Sequence, residues 1–300
     1  MYNLHKELNT FYEDHVCLKN ERKTLADHRD TNLERLKTGL NELDYPNSFE
    51  SKNQGSYAMH TINKHPQKDY DIDVAIIFEK DDLPANPTDA RKRIEDAMNK
   101  GGGDFSKPPK AKTNAVRVYY AEGHHVDLAV YRKNTNDFGN LVIQHAGPEW
   151  TNRNPVEIAD WFASSVQSQS PSKEHGAKVG DGQLRRVVRW LKMFAKSRSS
   201  WDMPCGLILS VLAVECFVAS QYRDDSSLYD TMKSIRNRLA SNKEVQNPVH
   251  LLQSLTGREK DKLRIEEFRR KVGMCIRRVE YLIRIGLHSR QSAARVELGV

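Results

Sequence analysis

Residues 71–78 have the sequence Asp-Ile-Asp-Val-Ala-Ile-Ile-Phe (DIDVAIIF), an apolar run that opens with two carboxylates. Its β-branched and aromatic residues predict a buried strand. Alternate side chains of a strand lie on one face, so Asp71 and Asp73 project together. Two neighbouring carboxylates repel, and burying them is costly without a compensating cation. The stretch therefore predicts a strand whose first residues hold divalent metal.

A glycine-serine turn precedes this strand, in Gln54-Gly55-Ser56-Tyr57. Glycine lets the backbone approach a phosphate closely, and a following helix aims free N–H groups at it. The Ser56 hydroxyl adds a further donor, and residues 57–62 are predicted to form the short helix.

A third carboxylate follows in residues 124–131 (HHVDLAVY). Strand alternation places Val126, Leu128 and Val130 on one face and Asp127 on the other. If this strand neighbours the first, Asp127 joins Asp71 and Asp73. Three oxygen donors together with nucleotide phosphates suit a pair of Mg²⁺ ions that clamp the attacking and leaving oxygens.

The rest of the chain predicts an α+β (mixed α/β) fold with two domains, 1–154 and 155–300. Residues 3–44 carry leucines at helical spacing and predict one long spine helix or two abutting ones. Short β-rich runs occupy residues 50–145, and Glu122-Gly123 predicts a hairpin. The predicted strands are 71–78, 115–120 and 124–131, and the predicted helices are 89–99, 156–168, 182–197, 205–220, 225–240 and 259 towards 287.

Composition narrows the class of protein. The 300 residues are 38% hydrophobic and 29% charged, with a net charge of +7 and a pI near 9.1. This charge favours nucleic acid or nucleoside triphosphates as partners without choosing between them. No apolar run approaches the roughly 20 residues of a membrane span, so we expect a cytoplasmic protein. The four cysteines lack CxxC spacing and are expected to be buried and reduced.

At Gly55-Ser56, Asp71-Ile72-Asp73 and Asp127 the sequence resembles the DNA polymerase β-type nucleotidyltransferases, and more narrowly the bacterial CD-NTases. The resemblance extends to the layout over most of the chain, with a spine helix, a catalytic lobe and a helical C-terminal lobe that closes the nucleotide cleft. It implies that the three aspartates are catalytic metal ligands.

Residues 184–194 (LRRVVRWLKMF) resemble the family helix whose lysine grips the donor triphosphate, and Lys192 occupies that place. Cys205 stands where relatives commonly have a phosphate-contacting serine. The nucleotide-binding candidates are thus Gln54, Gly55, Ser56, Lys192 and Cys205. The chain departs from relatives at His60, where they usually have glycine, and in lacking a proline shortly after Asp127.

The resemblance implies synthesis of a cyclic di- or trinucleotide from ATP, alone or with another NTP, in antiphage defence. Two Mg²⁺ ions are the implied cofactors, with Mn²⁺ as a substitute. Regulatory proteins encoded alongside are candidate partners. Nothing in the chain resembles the Cys/His zinc insert of the animal DNA sensor, so no DNA activator is expected.

Two other interpretations stay open. The same site suits a linear oligoadenylate synthase, an RNA-tailing enzyme or a protein-adenylylating enzyme. A catalytically silent nucleic-acid-binding module is the second, because residues 257–290 hold eleven Lys or Arg against five Asp or Glu. Clustered carboxylates argue against a pure binder of anions.

Overall fold

The computed structural model describes residues 3–18, 21–64, 71–103, 105, 107–121, 123–171 and 181–297, with backbone alone for residues 283–297. Within these residues the helices are α1 His5–Phe11, α2 Glu21–Glu42, α3 Gly55–Ala58, α4 Pro87–Lys100, α5 Glu157–Gln169, α6 Gln183–Ala195, α7 Gly206–Cys216, α8 Asp224–Ser241 and α9 Glu259–Glu297. The strands are β1 Glu50–Gln54, β2 Asp71–Glu79, β3 Lys110–Ala111, β4 Val116–Tyr119, β5 His125–Thr135, β6 Leu141–Ala146 and β7 Trp150–Asn152. A π-helical turn, Tyr12–Val16, continues α1, and a 3₁₀ turn, Lys80–Asp82, follows β2.

The chain forms two compact units. The sheet unit is Cys17–Ala163, and the helical unit combines Met1–Val16 with Ser164–Val300. The first sixteen residues therefore group with the C-terminal helices, whereas the sequence places them in a domain of residues 1–154. Packing explains the difference, because the Tyr12 ring meets Trp190 edge-on at 5.4 Å and its hydroxyl accepts a hydrogen bond from Arg189 at 2.5 Å.

The strands of the sheet unit form one mixed sheet in the order β1-β2-β5-β4-β3, and β6 pairs with β5 and β7. Strands β2 and β5 run parallel, while the other pairs are antiparallel. The predicted mixed sheet and the β4–β5 hairpin are confirmed, although Glu122 of the predicted turn lies outside the described residues. Strands β1, β3, β6 and β7 were not predicted. The polar β1 pairs on one side only, so it lacks the apolar alternation that marks a half-buried strand.

The two faces of the sheet have different roles. The even-numbered residues of β2 and β5, such as Val74 and Leu128, are buried in a core with α2 and α4. Helices α2 and α4 pack very closely, since a Cβ on Gly39 would lie 1.8 Å from the Ala97 carbonyl oxygen. The odd-numbered residues of β2 and β5 lie on the opposite face, and these include all three aspartates. The apolar core thus fixes which face carries the carboxylates.

The predicted helices are present in the helical unit, with small shifts at their ends. Helix α9 continues to Glu297, beyond the predicted end near residue 287, and α7 ends at Cys216 rather than at residue 220. Beyond the end of α7, side chains of α8 and α6 accept hydrogen bonds from the backbone. Val218 N–H donates to the Thr231 hydroxyl, and Ser220 N–H donates to Gln183 Oε1. Most of the predicted linker 169–180 lies outside the described residues.

The cysteine prediction is partly wrong. None of the four cysteines, all of which lie in the described part of the chain, forms a disulfide, and Cys216 is buried. Cys205, however, is exposed at the residue preceding α7. Among the described residues, the helices include none with the length and apolar character that crossing a bilayer requires.

Candidate active site

The three aspartates of the sequence motif come together on the face of the sheet opposite the core formed with α2 and α4. Parallel pairing sets Asp73 directly opposite Asp127 and Asp71 opposite His125. One carboxylate oxygen from each aspartate lies within 4.8 Å of the other two. We call Asp71, Asp73 and Asp127 the carboxylate trio. The predicted convergence is present, and the catalytic role of the trio stays a prediction.

Arg117 on β4 binds the trio directly, and the sequence interpretation missed it. Its Nε and Nη2 donate to the two carboxylate oxygens of Asp127 at 2.8 and 2.7 Å. Antiparallel pairing places Arg117 opposite Asp127, so the contact follows from the register. Alternation in Val116–Tyr119 predicts that Arg117 faces away from the core. Its partner Asp127 can be identified only from the pairing of β4 with β5.

The electrostatics of the trio centre on Asp73. Burial, followed by the charges of Asp71 and Asp127, raises the Asp73 pKa from 3.8 to about 8. Arg117 and Arg153 act in the opposite direction and limit the rise. At neutral pH the Asp73 carboxyl therefore retains its proton unless more positive charge enters the cluster.

The carboxylate trio is a suitable set of ligands for a divalent metal ion. Carboxylate oxygens are the ligands that Mg²⁺ prefers. Asp71, Asp73 and Asp127 each place one such oxygen within 4.8 Å of the other two. Arg117 and Arg153 lower the Asp73 pKa by less than burial and the charges of Asp71 and Asp127 raise it. A divalent cation held by Asp71, Asp73 and Asp127 would supply the missing charge.

The glycine-serine turn packs against the trio. Gly55 has a φ of +62°, and a Cβ at this position would lie 2.1 Å from Asp73 Oδ2. Glycine is therefore required both for the backbone conformation and for the close approach of Asp73. The short helix is α3, Gly55–Ala58, which corrects the predicted range of 57–62. Ser56 lies in its first turn, and its carbonyl oxygen accepts from Thr61 N–H at 2.8 Å.

Gln54 ends β1 and pairs with Asp73, so it borders both the turn and the trio. Its Oε1 accepts a hydrogen bond from the Tyr131 hydroxyl at 2.9 Å. Tyr131 lies on the same face of β5 as Asp127 and is 1% exposed. The sequence interpretation missed Tyr131, although the period-two alternation of this strand places it on the same face as Asp127.

The spine helix α2 supports the turn from its other side. Arg22 donates from Nη2 to the Tyr57 carbonyl oxygen at 3.1 Å, and its guanidinium lies 3.9 Å from the centre of the Tyr57 ring. Tyr57 is buried and covered by this guanidinium, which makes it a support for α3 rather than a platform for a base.

Lys192 and Cys205 lie in the helical unit, where they are neighbours. A Cβ at Gly206, the first residue of α7, would lie 3.0 Å from Lys192 Cε and 3.3 Å from its Nζ. The ammonium group thus lies against the start of α7, next to the exposed Cys205. Their role in nucleotide binding remains a prediction.

His124, the first member of the His-His pair, has a structural role. Its Nε2 shares a hydrogen bond of 2.6 Å with His28 Nδ1 on α2, and its ring stacks on Tyr120.

Part of the sheet unit is similar in sequence to proteins of known family. Residues 50–131, which include the turn and the whole trio, match the family "Cyclic GMP-AMP synthase DncV-like, nucleotidyltransferase domain". A cyclic GMP-AMP synthase of Escherichia albertii is 24% identical over 207 residues, which is 66% of this chain and 43% of that protein. The chain therefore matches less than half the length of this curated relative.

Solved structures share the fold. The Bradyrhizobium diazoefficiens CD-NTase CdnG, solved in complex with GTP, has a TM-score of 0.67 at 16% identity over 89% of each chain. The Vibrio cholerae DncV cyclic AMP-GMP synthase has a TM-score of 0.64 at 15% identity over 90% of each chain.

The mixed sheet with a carboxylate trio beside a glycine-serine turn has the polymerase β-like fold of these solved structures. The sequence relatives of this chain are DncV-like nucleotidyltransferase enzymes, and the match to their family covers residues 50–131.

Proposed function

We propose that this chain is a Mg²⁺-dependent nucleotidyltransferase that makes a cyclic di- or trinucleotide from ATP, alone or with another NTP. The observation that supports the proposal best is the carboxylate trio, formed by adjacent parallel strands with the Gly55-Ser56 turn packed on Asp73. The relatives named above were solved or classified as cyclic dinucleotide synthases or as CD-NTases with bound nucleotide.

The reaction forms one phosphodiester bond at a time. An acceptor ribose hydroxyl attacks the α-phosphorus of the donor NTP, and the bond from that phosphorus to the pyrophosphate oxygen breaks. Two Mg²⁺ ions, when bound, would polarise the α-phosphate and lower the pKa of the attacking hydroxyl. In the last step a ribose hydroxyl of the linear intermediate attacks that molecule's own 5′-terminal α-phosphorus, displaces its pyrophosphate and closes the ring.

The positions of the site residues suggest a role for each of them in this reaction. Asp71 and Asp73 would hold cations on the donor side, next to the turn whose backbone and Ser56 hydroxyl bind the triphosphate. Asp127 would serve the acceptor side, where its carboxylate can accept the hydroxyl proton. Arg117 keeps the Asp127 carboxylate oriented through two hydrogen bonds. Lys192 would bind the donor triphosphate, and Cys205 would lie beside it.

The biological setting forms part of the proposal and depends on the family resemblance. It comprises a cytoplasmic location, a role in antiphage defence, regulation by proteins encoded alongside, and activity without a DNA activator.

Identification of the reaction product tests the proposal. We would incubate the protein with the four NTPs and Mg²⁺, treat the products with phosphatase, and identify the resistant material by mass spectrometry. Asp73→Asn should abolish turnover, whereas Asp137→Asn, which changes an exposed acid on the β5–β6 turn, should not. Only linear, phosphatase-sensitive product would reject cyclisation and favour a linear synthase or a tailing enzyme. Duplex binding that persists in Asp73→Asn, with no turnover by the unmodified protein, would favour a silent nucleic-acid-binding module.

A further inference from the structure

The Tyr131 hydroxyl is a buried polar group in the sheet unit with a defined partner. The side chain is 1% exposed, and the hydroxyl donates to Gln54 Oε1 at 2.9 Å. A buried hydroxyl that lost this partner would carry an uncompensated desolvation cost, so the contact holds both side chains in place. Burial also raises the Tyr131 pKa to about 12, and the hydroxyl therefore remains a donor at any physiological pH.

The Tyr131 ring is itself anchored. It lies on the trio's face of β5 and meets the His145 ring at a centroid distance of 4.9 Å. His145 is 5% exposed, and its Nε2 donates to the Asn114 carbonyl oxygen at 2.8 Å. This arrangement restricts the ring, so the hydroxyl reaches Gln54 from a fixed direction.

The Gln54 side chain lies beside both the glycine-serine turn and Asp73. It is the last residue of β1, it pairs with Asp73, and it directly precedes α3, which begins at Gly55. A glutamine amide is planar, with one acceptor oxygen and an NH₂ donor. When Tyr131 holds the oxygen, the direction of the NH₂ group is set as well. The group then offers a donor, which suits an anionic phosphate oxygen and repels a metal cation.

We propose that Tyr131 is a positioning residue, whose hydroxyl orients the Gln54 amide so that its NH₂ group donates to the donor triphosphate at the glycine-serine turn. This inference rests on the proposed function. Tyr131 acts only through Gln54 and contacts neither metal nor substrate.

A double-mutant cycle tests this dependence. Tyr131→Phe keeps the ring and its packing but removes the hydroxyl, and Gln54→Met keeps the length of the side chain but removes both polar groups. The two single variants and the double variant are compared by steady-state pyrophosphate release with ATP and Mg²⁺. Tyr131→Phe should raise KM about threefold to tenfold, the worth of one hydrogen bond, with kcat within about twofold. The double variant should match Gln54→Met alone, because the hydroxyl has no separate route to the substrate.

The control is Tyr229→Phe, which removes an exposed hydroxyl bound to Glu280 in the helical unit and should leave KM unchanged. Thermal unfolding of each variant tests whether the fold persists. An unchanged KM in folded Tyr131→Phe would overturn the inference, as would KM effects that multiply in the double variant. A fall in kcat at constant KM would overturn it as well.

Binding of a non-hydrolysable ATP analogue, measured by calorimetry, separates this inference from the proposed function. If the unmodified protein shows no turnover with any NTP, the proposed function fails. The positioning role is then decided by the dissociation constant: a threefold to tenfold weaker value in Tyr131→Phe, with no further weakening when Gln54→Met is added, supports it, and an equal value rejects it.

Discussion

Metal binding to the carboxylate trio should release a proton, and the amount can be worked out from the structure. Without cations the Asp73 pKa is about 8, raised by burial and by the charges of Asp71 and Asp127. A metal ligand must be deprotonated, so the cation displaces the proton. At pH 7 a group with this pKa is about nine-tenths protonated, at pH 8 about half, and at pH 9 about one-tenth. The proton resides on the Asp73 carboxyl.

The assay is calorimetric titration of the nucleotide-free protein with Mn²⁺ or Mg²⁺, in buffers that differ in ionisation enthalpy. The dependence of the observed heat on that enthalpy gives the protons released per cation bound. We expect about 0.9 at pH 7 and about 0.1 at pH 9. The apparent dissociation constant should fall about tenfold from pH 6 to pH 7 and level off above pH 8.

Asp137→Asn, on the exposed β5–β6 turn, serves as the control and should behave like the unmodified protein. Asp73→Asn should lose the proton release along with the metal. Binding at pH 7 without proton release would refute the reasoning, because it would mean that Arg117 and Arg153 already hold all three carboxyls ionised.

The remaining predictions concern stability and activity. Because the Asp73 pKa is higher in the folded than in the unfolded state, stability falls as pH rises from about 4 to about 8. Asp73→Asn should therefore raise the thermal midpoint at pH 8.5 without divalent cations, and a lower midpoint would contradict this. Gly55→Ala adds a Cβ 2.1 Å from Asp73 Oδ2 at a φ of +62°, so pyrophosphate release should fall at least about tenfold, and retained activity would show that the turn relaxes. Arg117→Met leaves the buried Asp127 without its bidentate partner and should lower the free energy of unfolding by about 1–3 kcal/mol in urea titrations; no change would mean that solvent satisfies Asp127. Asn86→Ala removes the side chain that accepts from Thr88 and Asp89 N–H at the start of α4, which should cost about 1 kcal/mol in the same titrations while turnover stays the same.

Several features of the sheet unit follow from the sequence by itself, because they depend on local chemistry. The β-branched run after Asp71 specifies a strand, and the period-two alternation in residues 125–131 assigns Asp127 to the face opposite Val126 and Leu128. Leucines at helical spacing specify α2, since one stripe must be buried. A carboxylate pair at a strand end has few physical uses other than binding cations. The α+β fold and the gathering of the trio could therefore be expected before the structure was known.

The partners of those residues depend on tertiary structure. Arg117 and Tyr131 are ordinary members of alternating strands, and nothing local distinguishes them from other outward-facing residues. The register of β4 against β5 sets Arg117 on Asp127, and the crossing of the Tyr131 side chain to β1 brings it to Gln54. The requirement for glycine at position 55 likewise comes from Asp73 on another strand.

Sequence alone thus determined which residues face the site and what chemistry they carry, because side-chain direction and donor type are local properties. Tertiary structure decided which residues meet, and hence the raised Asp73 pKa, the Arg117 contact and the orientation of Gln54. Pairing register is set by the burial of many distant side chains together, and no short stretch of sequence contains that information.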